Sequence, residues 1–188
     1  MAPLPHPLLD DGAVRVRAPE ERDVPAMVAA CQDPAISRWT RVPSPYTPED
    51  ARRFIALAQA EARAGTGVAC VWEHGGELAG TLGLMEIDQD SGYGEIGYWT
   101  AAGVRGKGLT TRAVVLVRDW AAEQLGLTEL EILPHRDNAP SIRVAERAGF
   151  EPTGAVVTIR RMPPGKQTGY LVYRWLASDG LAPSAPPD

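Results

Sequence analysis

The sequence predicts an α/β domain, a mixed sheet with flanking helices. Two observations carry this. Strand-like and helix-like stretches alternate between residues 14 and 176 in the order β-α-α-β-β-β-α-β-α-β-β. Three of the strand stretches follow one another across the short turns His74-Gly75-Gly76 and Asp88-Gln89-Asp90-Ser91-Gly92, so part of the sheet is built from hairpins. At 188 residues, with 44% hydrophobic and 23% charged residues, the chain suits one domain whose core needs no disulfide or metal.

Val14-Arg15-Val16-Arg17 alternates apolar and polar residues as a short strand. A helix starts at Pro19-Glu20-Glu21-Arg22-Asp23, with acids in its first turn and Val24, Met27, Val28 and Cys31 at helical spacing, and ends at Asp33-Pro34, because the residue before proline is driven from the α region. Thr47 is the expected N-cap of a second helix, with Pro48 at its first position and Asp50 three residues beyond the cap; Gly65 and Gly67 end it. Strands follow over 68–73, 78–87 and 93–100. A long helix over 109–125 presents Val114, Val115, Val117, Trp120 and Ala121 as its buried stripe and closes at Gly126. A strand over 127–133, a helix over 138–148 ended by Gly149, and strands over 156–161 and 170–176 complete the domain. Residues 13–177 are the expected domain, and the proline-bearing ends, 1–12 and 178–188, are expected to be disordered tails.

A net charge of −5 argues against a general nucleic-acid binder. Cys31 and Cys70 cannot form a disulfide framework, and Cys70 lies in an apolar run as a buried, inert thiol. There is no signal-peptide pattern and no long apolar span, so no membrane is expected and a cytoplasmic protein is the default reading. No spacing of His, Cys, Asp and Glu suggests a metal.

The chemistry-bearing segment is Arg105-Gly106-Lys107-Gly108-Leu109-Thr110 between a strand and a helix. Its glycines allow a tight turn and a close approach of the backbone. The following helix offers unpaired N–H groups and the positive end of its dipole, and Arg105 and Lys107 add charge. The pattern is neither GxxxxGK[ST] nor GxGxxG in a βαβ unit.

This loop, together with Glu95-Ile96-Gly97-Tyr98-Trp99, Asn138-Ala139-Pro140-Ser141 and Ala148-Gly149-Phe150, resembles the GCN5-related N-acetyltransferase (GNAT) superfamily, and within it the RimJ/RimL group of ribosomal-protein N-terminal acetyltransferases. The loop departs from the R/Q-x-x-G-x-G/A signature at its last position, where Thr110 replaces a small residue. The resemblance spans residues 14 to 176. It implies a mixed, mostly antiparallel sheet of about six to seven strands, splayed between the fourth and fifth. It implies acetyl-CoA as co-substrate, no metal, and direct attack by an amine in a ternary complex. The cofactor residues it implies are Tyr98, Trp99, Thr100, Arg105, Gly106, Lys107, Gly108, Leu109, Thr110, Asn138 and Ser141. The backbone N–H of Tyr98 would polarise the thioester carbonyl, Glu95 would be the general base with Glu86 as the alternative, and Ser141 is the remaining hydroxyl on a helix that carries no tyrosine.

Segments 36–46, 88–94 and 160–169 are the expected specificity elements, and the acids Glu86, Asp88, Asp90 and Glu95 the expected attraction for an amine acceptor, which is a small molecule or a peptide N-terminus. The chain is expected as a monomer or homodimer. A non-catalytic acyl-CoA-binding or regulatory protein on the same fold is the alternative reading.

Overall fold

The computed structural model describes residues 2–177. One eight-stranded sheet forms its centre. The strands are β1 (Leu9–Asp10), β2 (Arg15–Arg17), β3 (Val68–His74), β4 (Glu77–Asp88), β5 (Tyr93–Thr100), β6 (Glu129–Ile132), β7 (Glu151–Val157) and β8 (Tyr170–Leu176). Their spatial order is β1-β2-β3-β4-β5-β6-β8-β7. Every neighbouring pair is antiparallel except β5 and β6, which are parallel. The helices are α1 (Val24–Cys31), α2 (Pro34–Trp39), α3 (Pro48–Ala64), α4 (Leu109–Leu125) and α5 (Ala139–Arg147).

Local chemistry sets the helix ends. In α3 the Thr47 hydroxyl accepts from the Asp50 N–H while the Asp50 carboxylate accepts from the Thr47 N–H, a reciprocal cap. Gly65 and Gly126 close α3 and α4 in the left-handed region, at φ 76° and 68°, where a side chain is strained. The helix expected to end at Asp33-Pro34 stops at Cys31. Asp33 then starts a further helix, α2, by accepting the Ala35 N–H, with Pro34 in the first turn where its missing donor costs nothing.

Two apolar clusters sandwich the sheet. One joins Trp72, Leu84, Ile96 and Leu130 to Val114, Val117 and Ala121 of α4 and Ala145 of α5. The other joins Met27 and Cys31 of α1, Ile36 of α2 and Ala51 and Ile55 of α3 to Trp99 of β5. The period of two along β5 thus turns Glu95, Gly97 and Trp99 toward α1–α3, and Ile96, Tyr98 and Thr100 toward α4 and α5. Burial pushes the Cys31 and Cys70 thiols up to about 12. Among the described residues, no helix is long and apolar enough to cross a membrane.

Two expectations are corrected. Residues 2–12 are not a loose tail. The Leu4 N–H donates to Ala62 O at 2.8 Å, Leu4 is buried at the core, and Leu9 and Asp10 pair with Val16 and Arg15 as the edge of the sheet. The prolines hold this segment extended, and Leu4 supplies the apolar area that repays its ordering. The strand expected over 156–161 lies at 151–157, directly after the Gly149 turn. Beyond it, residues 158–169 fold as a strap in which the Ile159 N–H donates to Gln167 O at 2.7 Å and Ile159 and Met162 pack on Tyr170. The expected tail 178–188 lies outside the described residues.

Leu4→Ala is expected to lower the unfolding free energy by about 2 kcal/mol in urea denaturation. Unchanged stability would show that the N-terminal segment does not belong to the folded unit.

Candidate functional site

The sheet opens beside β5. On one edge β5 pairs with β4 along its whole length, to Thr100↔Gly80. On the other it meets β6 at only three places, Tyr93↔Glu129, Gly94↔Leu130 and Glu95↔Glu131. From residue 96 to 100, no described strand pairs with that edge. A cavity of about 890 Å³ fills the opening. Its walls include β5 from Glu95 to Thr100, the loop at Gly106 and Gly108, and the start of α5 at Asn138 and Ser141.

The glycine loop ends at this cavity. Gly106 and Gly108 stand at φ 77° and 76°, and a Cβ at either would meet open space but impose backbone strain. Gly108 is the N-cap of α4 and has no side chain to cap it, so the first-turn N–H groups and the dipole face the cavity. Leu109 does not line the cavity, and its side chain is in the core. Lys107 is exposed. The Thr110 hydroxyl is 2.8 Å from that of Thr100 and joins helix to strand, so the larger residue is accommodated beside β5. Arg105 is engaged within the protein. Its guanidinium donates to Thr100 O at 3.0 and 2.8 Å and lies 2.7 Å from the Asp33 carboxylate, so it ties the loop to β5 and α2.

Tyr98 crosses the opening. Its hydroxyl is 2.8 Å from Ser141 Oγ and 3.3 Å from Ser141 O. The sequence puts no tyrosine on α5, yet the fold delivers a phenol to its first turn from β5. Burial pushes that phenol up to about 12, against the opposing pull of the Ser141 hydrogen bond, so it stays protonated at neutral pH. Asn138 caps α5, its Oδ1 accepting the Ser141 N–H at 3.4 Å. The Trp99 side chain packs in the α1–α3 cluster, and the residue lines the cavity.

Glu95 sits where the β5–β6 pairing ends, its side chain 7% exposed. Arg161 of the strap donates to Glu95 Oε1. Burial raises the Glu95 carboxyl above the usual carboxylate range, Arg161 opposes this, and Glu86 and Glu131 add to it. Glu86, at φ 51° in an irregular stretch of β4, is more exposed and lies 3.6 Å from Arg161 Nη1. Two of the four acids expected to attract an amine, Glu86 and Glu95, are thus engaged by one arginine. Arg161 pairs with Glu95 and, at 3.6 Å, with Glu86, and Asp88 accepts from the Asp90 and Ser91 N–H groups and the Ser91 hydroxyl of its own turn. His135 lines the cavity between Trp39 of α2 (ring centroids 5.1 Å apart) and Tyr170 (5.4 Å, edge-on). Among the described residues, no group of three or more His, Cys, Asp and Glu could hold a metal.

Residues 13–151 match the model of the acetyltransferase (GNAT) domain. The chain belongs to the GNAT acetyltransferase family. It is 27% identical over 142 residues to the uncharacterised N-acetyltransferase p20 of Bacillus licheniformis, which covers 74% of this chain and 79% of that one. It is 31% identical over 87 residues to the spermidine N(1)-acetyltransferase of Escherichia coli K12, 46% of this chain and 47% of the relative. The fold matches that of Mycobacterium smegmatis RimJ in complex with CoA-disulfide, with a TM-score of 0.80 at 23% identity, over 94% of this chain and 86% of RimJ.

Of the residues expected around β5, the glycine loop and the start of α5, all but Lys107 and Leu109 line this cavity of the GNAT chain. The sequence reading missed Arg161 as the partner of Glu95 and Tyr98 as the neighbour of Ser141. Both contacts are long-range, and periodicity along the chain carries no signal for either. Arg105→Met is expected to lower stability by about 1 kcal/mol in urea denaturation, since it removes hydrogen bonds at a partly exposed site. No change would mean that the guanidinium is free for a ligand.

Proposed function

We propose that the chain transfers the acetyl group of acetyl-CoA to a primary amine, a protein N-terminus or a small molecule, by direct attack in a ternary complex. The observation that carries this reading is the early parting of β5 from β6 beside an uncapped helix N-terminus. The residues present suit acetyl-CoA. Backbone N–H groups at Gly108 and the start of α4 would take the pyrophosphate. The free edge of β5 at Tyr98, Trp99 and Thr100 would take the pantetheine arm as an added strand does, with Asn138 on an amide of that arm. Acetyl-CoA supplies the activated acyl thioester.

The chain's own part is positioning and proton handling. The Tyr98 N–H would polarise the thioester carbonyl. Glu95 would take the proton that the ammonium must lose as its nitrogen bonds to the carbonyl carbon. Ser141, backed by the Tyr98 hydroxyl, would give a proton to the sulfur as the C–S bond breaks. Alternation along β5 puts Glu95 and Tyr98 on opposite faces of the sheet, so the base and the acid approach the opening from its two sides. The second carboxylate considered for the base, Glu86, does not line the main cavity, and this favours Glu95. Relatives named for spermidine and for ribosomal-protein acetylation support an amine acceptor of either kind.

Gly108→Asp is expected to abolish acetyl-CoA binding in calorimetry, since it adds an anion and a strained φ at the helix start. Glu95→Gln is expected to lower kcat about 10²-fold, with acetyl-CoA affinity unchanged. In the wild type, kcat/KM should fall as pH drops through the Glu95 pKa, because the base is lost on protonation, and that limb should lie above the usual carboxylate range. Full activity of Glu95→Gln across neutral pH would contradict the base assignment.

A further inference from the structure

We propose that Arg161 is a positioning residue for the transfer: from the strap, it fixes one oxygen of Glu95 and keeps that carboxyl charged at the end of the β5–β6 pairing, leaving the second oxygen for the acceptor's proton. The inference rests on the reading of Glu95 as base.

The geometry separates Arg161 from an ordinary surface ion pair. Glu95 is nearly enclosed, whereas Arg161 is 30% exposed and reaches inward. Arg161 lines both the main cavity and a second one of about 410 Å³ that is also lined by Glu86 and Asp88. The strap that carries it is anchored at several points. The Met162 N–H donates to Ile159 O at 3.1 Å, the Tyr170 hydroxyl to Lys166 O at 2.9 Å, and Lys166 Nζ to Ser37 O of α2 at 2.5 Å. Arg161 is thus held in place from both sides of the acceptor end.

The charges around Glu95 come from three elements. Arg161 approaches from the strap, Glu86 from β4 and Glu131 from β6. Glu131 is itself engaged by the Tyr93 hydroxyl and by Arg174. Remove Arg161, and burial and both neighbouring carboxylates act in one direction, toward a neutral Glu95. A carboxylic acid at that position accepts no proton from the amine. Lysine in place of Arg161 would restore the charge but not the planar, two-armed contact to Glu95 and Glu86.

The test is carbon-13 NMR titration of the full chain labelled at the glutamate side-chain carboxyl, in wild type, Arg161→Met and Arg161→Lys, with Glu95→Gln identifying the Glu95 signal. Acetyl-CoA binding by calorimetry serves as the control for folding. The Glu95 midpoint is expected to rise by about one pH unit or more in Arg161→Met, and to return most of the way in Arg161→Lys. Thiol release with spermidine and with a peptide bearing an N-terminal serine is followed alongside. For whichever amine is acetylated, the acid limb of kcat/KM should move with the NMR midpoint. A Glu95 midpoint that stays in place in Arg161→Met overturns the inference while leaving the base reading intact. Should Glu95→Gln turn over either amine at the wild-type rate, the base reading itself fails, and the inference with it.

Discussion

The site depends on how two neighbouring strands divide their loyalties. β5 is tied to β4 along its length, and β6 to β8. After Ile132 the chain keeps following β8. The Leu171 N–H donates to Pro134 O at 2.9 Å, His135 bridges to Tyr170, and the Arg136 N–H donates to Gly169 O at 2.8 Å. Each strand of the parallel pair is held by its antiparallel partner on the far side, so the two separate after three pairings. The result is an exposed backbone edge inside the protein instead of at its rim.

The rest of the site follows from that opening. The glycine loop brings the N-terminus of α4 to it, and the first turn of α5 reaches it as well. Tyr98 crosses between β5 and α5 through its hydroxyl contact with Ser141. Glu95 stands at the last paired position, where the sheet still supports it and the cavity already reaches it. Arg105 holds the loop against β5 and α2, and Arg161 holds the strap against β4 and β5. These two arginines link elements that are far apart in sequence. Each is as much a part of the architecture as of any binding surface.

The sequence displayed the locally determined features. The Thr47–Asp50 cap, the span of α4, its Gly126 terminus and the glycine loop depend on residues within a turn or two of one another, and the structure has them at the expected positions. Features set by distant partners were less visible. Residues 2–12 look like a tail by their prolines until Leu4 meets α3. α2 is hidden because Asp33-Pro34 looks like the end of one helix, which stops at Cys31, and in fact starts the next. Glu86 and Glu95 look free until Arg161, 66 residues beyond Glu95, pairs with both. Only the appearance of segment 160–169 among the expected specificity elements hinted at this contact.

The most direct test of the account is amide hydrogen exchange of the full chain, with and without saturating acetyl-CoA. If the free edge of β5 is where the acyl donor's arm lies, protection should rise at residues 96–100 and at the first turn of α4, while the β4–β3 ladder should stay unchanged. Calorimetric binding of acetyl-CoA with no gain in protection at 96–100 would contradict it.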